Sequence, residues 1–175
     1  PIFLAGRSPH VVQIADTGSQ LMVDSGVTQP LQEFIADDPE FPLALLLPAV
    51  RRYYEYDGKI VSLPFATSNP VLYYNKKLFS AAGLEAPPRT FAELEDFSKK
   101  LSSPAEKHYG VTWPLHSWFF EQFMARQGQT LVAPDNGRKV RATSANYLSA
   151  EAVRFVELWQ RMIKEKTFLN AGRGW

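Results

Sequence analysis

The chain has no cysteine. That excludes a disulfide scaffold, a cysteine-bearing zinc site and a thiol nucleophile, while leaving the compartment open. An excess of one charge is missing too, since 19 Lys and Arg against 18 Asp and Glu give a formal net charge of +1. The basic residues fall as scattered pairs, Arg51-Arg52, Lys76-Lys77 and Lys99-Lys100, which offer no continuous positive surface to a phosphate backbone. Nucleic acid is not an expected partner. The longest apolar run, Phe41 to Val50, is interrupted by Pro42 and Pro48 and falls well short of the roughly 20 residues of a bilayer span. His10, His108 and His116 lack the spacing of a helical zinc site, and no phosphate-cradling GxxxxGK or GxSxG nucleophile elbow occurs. The sequence therefore implies neither a metal nor a cofactor. No basic leader or cleavage site precedes the first strand, so an export signal is not expected within this chain.

What is present is a globular composition. Hydrophobic residues make up 45% of the 175 residues and aromatics 13%, enough for one ordinary core or two small lobes, and too apolar for a disordered chain. Val11-Val12-Gln13-Ile14-Ala15 reads as a buried strand that delivers Asp16-Thr17-Gly18-Ser19 to a polar loop. Gln20 to Ile35 reads as helix broken around Gly26 and Pro30, and Leu43 to Tyr56 as a second helical stretch divided near Pro48. After a turn at Gly58-Lys59, Ile60 to Phe65 and Val71 to Tyr74 read as strands. Asn75 suits the N-cap of a helix from Lys76 to Ala82, with Gly83 as its left-handed exit.

Thr90-Phe91-Ala92-Glu93 has the form of a capping box opening a helix that reaches Leu101. Tyr109 to Trp113 reads as a strand, and Ser117 to Gln127 as a helix stopped by Gly128. Asp135-Asn136-Gly137 reads as a turn joining two short strands, the second from Arg138 to Thr143. From Ser149 to Lys166, Ala152, Val156, Trp159 and Ile163 form an apolar helical stripe, with Glu157 and Arg161 placed to pair on the exposed side. This alternation of strands and helices defines an α/β chain without internal repeats.

The residues suited to recognition are Asp16 after one strand, Ser68-Asn69 after another, and Trp113 with Ser117-Trp118 around a helix start. A carboxylate and an amide can bridge adjacent hydroxyls, an indole face can cover an apolar ligand surface, and a helix N-terminus favours an anion. Each has a structural alternative. Asp16 also suits an N-cap, Ser68 and Asn69 suit a turn before Pro70, and Trp118 suits a core beside Phe119, Phe120 and Phe123. Tyr73 and Tyr74 alternate faces, so one is expected in the core and the other is able to reach a cleft. Asp37-Asp38 lies in a solvated loop.

Leu63-Pro64-Phe65-Ala66-Thr67-Ser68-Asn69-Pro70-Val71-Leu72-Tyr73-Tyr74-Asn75-Lys76 resembles the extracellular solute-binding proteins of bacterial ABC importers. Phe79 with Ala82-Gly83-Leu84, then Pro87-Pro88-Arg89-Thr90-Phe91, is similar to that family's continuation, with Phe91 in place of a usual tryptophan. Val11 to Gly18 resembles the strand that brings an acidic residue to the ligand, and Ser117 to Gln122 the segment in which glycerol-3-phosphate binders present a tryptophan. The resemblance implies a periplasmic-binding-protein-like two-lobed α/β fold present in part, with parts of both lobes. Residues 1–66 would belong to the first lobe, 67–70 to the hinge crossing, and 71–175 to the second lobe, mainly helical at its end.

The resemblance also implies import rather than chemistry. A polyol phosphate such as glycerol-3-phosphate, a glycerophosphodiester or a sugar would bind between lobes that close by hinge motion. Delivery would be to a membrane ABC permease, from a periplasmic or membrane-associated extracellular position. Asp16, Ser68 and Trp118 would contact the ligand, followed by Asn69, Tyr74 and Ser117. Two residues depart from the glycerol-3-phosphate pattern: Asp16 stands where an acid one methylene longer is usual, and Asn69 where threonine is frequent. The natural polypeptide is expected to be longer than this chain. Two alternatives stand beside this reading: a carbohydrate-active hydrolase using Asp16 and a second acid such as Glu121, and an aromatic-rich interaction domain.

Overall fold

The structure, a computed structural model, describes residues 9–173. Two compact units divide the chain: one runs to Ser68 and includes Arg138–Arg141, and the other holds Asn69–Gly137 and the residues from Ala142 onward.

In the first unit, a single 3₁₀ turn at Asp16–Gly18 leads into α1 (Ser19–Ser25). Gly26 ends α1 in the left-handed region at φ 64°, and Pro30 precedes α2 (Leu31–Ala36). A further 3₁₀ turn at Leu43–Leu45 precedes α3 (Pro48–Tyr53), which starts on the proline as its missing N–H allows. The breaks expected at Gly26, Pro30 and Pro48 are thus all present. β1 (Glu55–Tyr56) and β2 (Lys59–Ile60) form a hairpin pairing Glu55 with Ile60 and Tyr56 with Lys59. Its two turn residues are Asp57 and Gly58, at φ 48° and 71°, one position before the expected turn. Residues 138–141 are tied to this unit by two arginines: Arg138 donates to the Tyr53 carbonyl at 2.8 Å, and Arg141 pairs with Asp24 at 2.9 Å.

The second unit opens with α4 (Lys76–Ala81), where Asn75 Oδ1 accepts from the N–H groups of Lys77 and Leu78. Helix α5 (Phe91–Leu101) carries its capping box: Thr90 Oγ1 accepts the Glu93 N–H, and Glu93 reaches back to accept the Arg89 N–H. Helix α6 (Ser117–Arg126) follows, then β3 (Val132–Ala133) paired antiparallel with β4 (Ser144–Ala145), and finally α7 (Ala150–Lys164), capped by Ser149. The expected second strand at 138–143 is therefore displaced to Ser144–Ala145, because residues 138–141 pack with the first unit instead.

The core of this unit is aromatic. Trp113, Phe155, Leu158, Met162 and Phe168 are buried together, with Phe91, Leu94, Phe123 and Trp159 packed around them. Trp113 lies 4.5 Å from Phe168 and 5.4 Å from Phe123 between ring centroids, so the recognition role considered for Trp113 is corrected to a core role. The apolar stripe of α7 is also corrected. Ala152, Phe155, Leu158 and Met162 are buried, whereas Val156 and Ile163 are exposed. Apolar residues occupy two adjacent stripes of α7, and the partners on α5, on α6 and at Phe168 select between them.

Arg161 forms a two-pronged pair with Glu95 of α5, at 3.1 Å for each bond, and the expected partner Glu157 acts on it only through its charge. Lys99 bridges Glu95 and Glu165 at 3.6 and 3.2 Å. Gly110 lies directly on α5, where a Cβ would collide with the Ser98 carbonyl, which accounts for glycine at this position.

Four expected strands are absent or reduced. Residues 11–15 form no ladder and are exposed, β2 stops at Ile60, 71–74 pair with nothing, and 109–113 contribute a single parallel bridge from Val111 to Phe168. A strand requires a neighbour to accept its alternating backbone groups; among the described residues 11–15 and 71–74 lack one, and 109–113 meets 167–169 only around Val111. Neither Tyr73 nor Tyr74 is core, contrary to the expectation for one of them: both are exposed, with Tyr74 4.7 Å from Phe79 between ring centroids.

Hydrogen bonds to the Arg161 guanidinium hold the Glu95 carboxyl below its usual pKa, with the charges of Arg161 and Lys99 adding to the effect and burial opposing it. A carboxyl lowered in this way contributes stability above its unfolded pKa and loses it as the pH falls through the folded value. Glu95→Gln is expected to lower the unfolding midpoint at neutral pH, with the gap to the parent closing as the pH falls below the carboxylate range; thermal unfolding across that range checks it, and a gap independent of pH would contradict it.

Candidate functional site

In the first unit, Asp16 is exposed at the start of its 3₁₀ turn, and its Oδ1 accepts the Thr17 N–H at 2.9 Å. The carboxylate therefore does not cap α1, whose N-cap residue is Gly18. Its second oxygen keeps acceptor capacity for a hydroxyl. Asp16 is electrostatically coupled to two tyrosines at the end of α3. The Tyr53 hydroxyl has a raised pKa, from burial first and then from the Asp16 charge, partly offset by Arg138. Tyr54 is raised by burial and then by Asp16. The Arg138 guanidinium stacks 4.2 Å above the Tyr53 ring. A carboxylate acceptor, two protonated phenols and a guanidinium thus gather in one unit, a set suited to hydroxyl-bearing molecules. Ser68, the last residue of this unit's first segment, is exposed and makes no hydrogen bond among the described residues.

In the second unit, Asn69 and Tyr74 are exposed on the approach to α4. Ser117 and Trp118 stand together at the first turn of α6. Trp118 is half-buried, edge-on to Phe119 at 5.2 Å, and so is neither fully core nor fully presented. His116 caps the helix by accepting the Trp118 N–H at Nδ1, 3.2 Å away, which fixes the backbone at the site. Beside this turn lies an open recess of about 360 Å³ lined by Ser117, Phe120, Glu121, Leu131 and Tyr147.

Sequence reasoning missed Tyr147 and the capping role of His116. Tyr147 reaches the recess because the neighbouring Asn146 binds back across the chain, its N–H to the Leu131 carbonyl at 2.8 Å and its Nδ2 to the Thr130 carbonyl at 3.0 Å. No local pattern signals that pairing. Tyr53, Tyr54 and Arg138 were missed for the same reason, since Arg138 follows Tyr53 by 85 positions. Among the described residues no cluster of His, Asp and Glu could hold a metal ion, and no helix is long and apolar enough to cross a membrane.

The bacterial extracellular solute-binding protein family matches residues 1–172, and the chain belongs to it. The sn-glycerol-3-phosphate-binding periplasmic protein UgpB of Pectobacterium atrosepticum is 33% identical over 98% of this chain and 40% of its own length. The protein of the same name from Yersinia pestis is 31% identical over the same shares. The chain thus spans about two fifths of these relatives.

Two solved structures share the fold. MalE, the sugar-binding protein of Xanthomonas citri, superposes with a TM-score of 0.72 at 21% identity, over 95% of this chain and 41% of that one. The substrate-binding protein Lmo0181 of Listeria monocytogenes, solved with cycloalternan, gives 0.69 at 22% identity, over 95% and 42%. The periplasmic-binding-protein fold expected from the sequence is therefore present in part. These are binding proteins, and the hydrolase alternative gains nothing from them.

The charge coupling in the first unit is directly testable. Removing the Asp16 charge is expected to lower the ionisation midpoints of Tyr53 and Tyr54, so near-ultraviolet titration of Asp16→Asn should show tyrosinate forming at lower pH than in the parent. An unchanged titration curve would contradict the coupling.

Proposed function

We propose that this chain carries ligand-recognition elements of the substrate-binding component of an ABC importer, and that its ligand is a glycerol-3-phosphate-like polyol phosphate, a glycerophosphodiester or a sugar. The observation carrying this reading is the 33% identity, over 98% of the chain, to a periplasmic protein named for binding sn-glycerol-3-phosphate. In this reading the first lobe spans 1–66, the crossing 67–70 and the second lobe 71–175, and the closed, loaded form is handed to a membrane permease on the periplasmic or outer side. No chemical step is involved.

The residue roles follow from their chemistry. Asp16 accepts hydrogen bonds from ligand hydroxyls, and Ser68 donates to a hydroxyl or phosphate oxygen. Trp118 covers the carbon skeleton, and Ser117, at the positive end of α6, donates to an anionic group. Asn69 and Tyr74 supply further polar contacts. A sugar is retained as a ligand because Phe120 and Tyr147, whose rings are 6.1 Å apart, flank Ser117 and Glu121 in the recess, an aromatic and carboxylate combination suited to a pyranose.

Tryptophan-fluorescence titration with glycerol-3-phosphate, glycerophosphocholine and maltose tests the reading. One of these is expected to give a saturable change in the parent that is strongly reduced in Trp118→Phe, and Asp16→Asn is expected to weaken its binding by about 1–3 kcal/mol, as for loss of a charge-assisted hydrogen bond. A folded parent that responds to none of the three, or full affinity in both variants, would overturn it.

A further inference from the structure

Among the described arginines, Arg138 alone is not exposed. Arg51, Arg141, Arg154 and Arg161 each pair with a carboxylate, whereas Arg138 forms no ion pair among the described residues. Its guanidinium is nonetheless held on two sides, with Nη1 donating to the Tyr53 carbonyl at 2.8 Å and the group centred 4.2 Å above the Tyr53 ring. Arg138 also acts on the Tyr53 hydroxyl by hydrogen bonding and charge, against the effects of burial and of Asp16. Drawing a cation partly out of water without a carboxylate has a cost that a carbonyl and an aromatic face offset only in part. The planar fork carries more N–H groups than a carbonyl and a phenol use, so donors remain for an anion. Nor is Arg138 the only anchor of its segment, because Arg141 ties the same stretch to Asp24 at 2.9 Å.

Asp16 brings the opposite charge to the same phenols. It acts on the hydroxyls of Tyr53 and Tyr54, whose rings meet edge to face at 5.2 Å, and it too forms no ion pair among the described residues. An acid and a base thus flank one tyrosine without neutralising each other. Asp16 keeps its capacity for donors and Arg138 its capacity for acceptors. A neutral sugar supplies hydroxyls to the carboxylate and leaves the guanidinium without an anion. A polyol phosphate answers both.

We propose that Arg138 is the phosphate-recognising residue of the first unit, its fork donating to the non-bridging oxygens of a polyol phosphate whose hydroxyls donate to Asp16. Tyr53 is the platform that orients the fork. This assignment rests on the importer reading above and narrows its ligand to the phosphate-bearing class.

The test is calorimetric titration of the full polypeptide carrying this chain with glycerol-3-phosphate, glycerophosphocholine and maltose, in the parent and in Arg138→Gln, Arg138→Lys and Arg141→Gln. A phosphate ligand is expected to bind the parent and to be weakened roughly tenfold or more by Arg138→Gln, with Arg138→Lys recovering only part of the loss because an ammonium lacks the fork. Arg141→Gln, which unties the segment from Asp24 but keeps the guanidinium, is expected to bind as the parent does. An equal loss in Arg141→Gln would make the effect one of docking the segment and overturn the assignment, as would maltose affinity falling in step with phosphate affinity. Parent-level phosphate binding in Arg138→Gln, or in a folded Arg138→Lys where the glutamine variant does not fold, would also overturn it, leaving the importer reading intact. A parent that binds maltose alone has the same consequence. A parent that binds none of the three overturns both.

Discussion

Burial of the Trp113 indole organises the second unit. Its ring packs against Phe123 of α6, Phe155 and Trp159 of α7, and Phe168 beyond α7, all at centroid distances of 4.5–6.3 Å. At about 25 cal/mol per Å², an aromatic side chain removing some 150–250 Å² from water contributes roughly 4–6 kcal/mol before entropy is counted. The ion pairs among Glu95, Lys99, Arg161 and Glu165 lie near the surface, where solvent screening keeps each of them weak beside this burial. Packing therefore sets the arrangement of α5, α6 and α7 and decides which face of α7 turns outward. The position of Ser117 and Trp118 follows, because α6 is anchored through Phe123 and the fully buried Met124 and cannot shift without opening the core.

Local chemistry was legible wherever a residue answers to its own neighbours in sequence. Asn75, Thr90 with Glu93, and Ser149 cap helices by bonding backbone groups two to four positions away, and Gly26, Gly83 and Gly128 adopt the positive φ their helix exits require. What was not legible depends on distant partners. The α7 stripe is ambiguous because Val153, Val156 and Ile163 are as apolar as Phe155 and Met162, and only the surrounding rings decide which set is buried. Val11 to Ala15 and Val71 to Tyr74 have strand composition, yet a strand is a property of a pair, and pairing is non-local.

The candidate site divides along the same line. Asp16, Ser68, Asn69, Tyr74, Ser117 and Trp118 were named from sequence, five of them are exposed and Trp118 is half-buried. Their surroundings came from long-range contacts: Arg138 stacked on Tyr53, and Tyr147 brought beside Ser117 through Asn146. These additions shape what the named residues can recognise. The Asp16 carboxylate acts beside phenols that stay protonated, while Ser117 borders a recess with an aromatic wall and a single acid, Glu121.

The central claim is that one aromatic core holds the helices of the second unit, and with them the first turn of α6, as a single cooperative body. Native-state hydrogen exchange under rising denaturant measures this directly, read at the amides of Met124 in α6, Phe97 in α5, and Phe155 and Met162 in α7. The account predicts that all four merge into one opening isotherm with a common free energy and slope. Exchange of Met124 through a separate, lower-energy opening while α5 and α7 remain protected would show that α6 does not depend on that core.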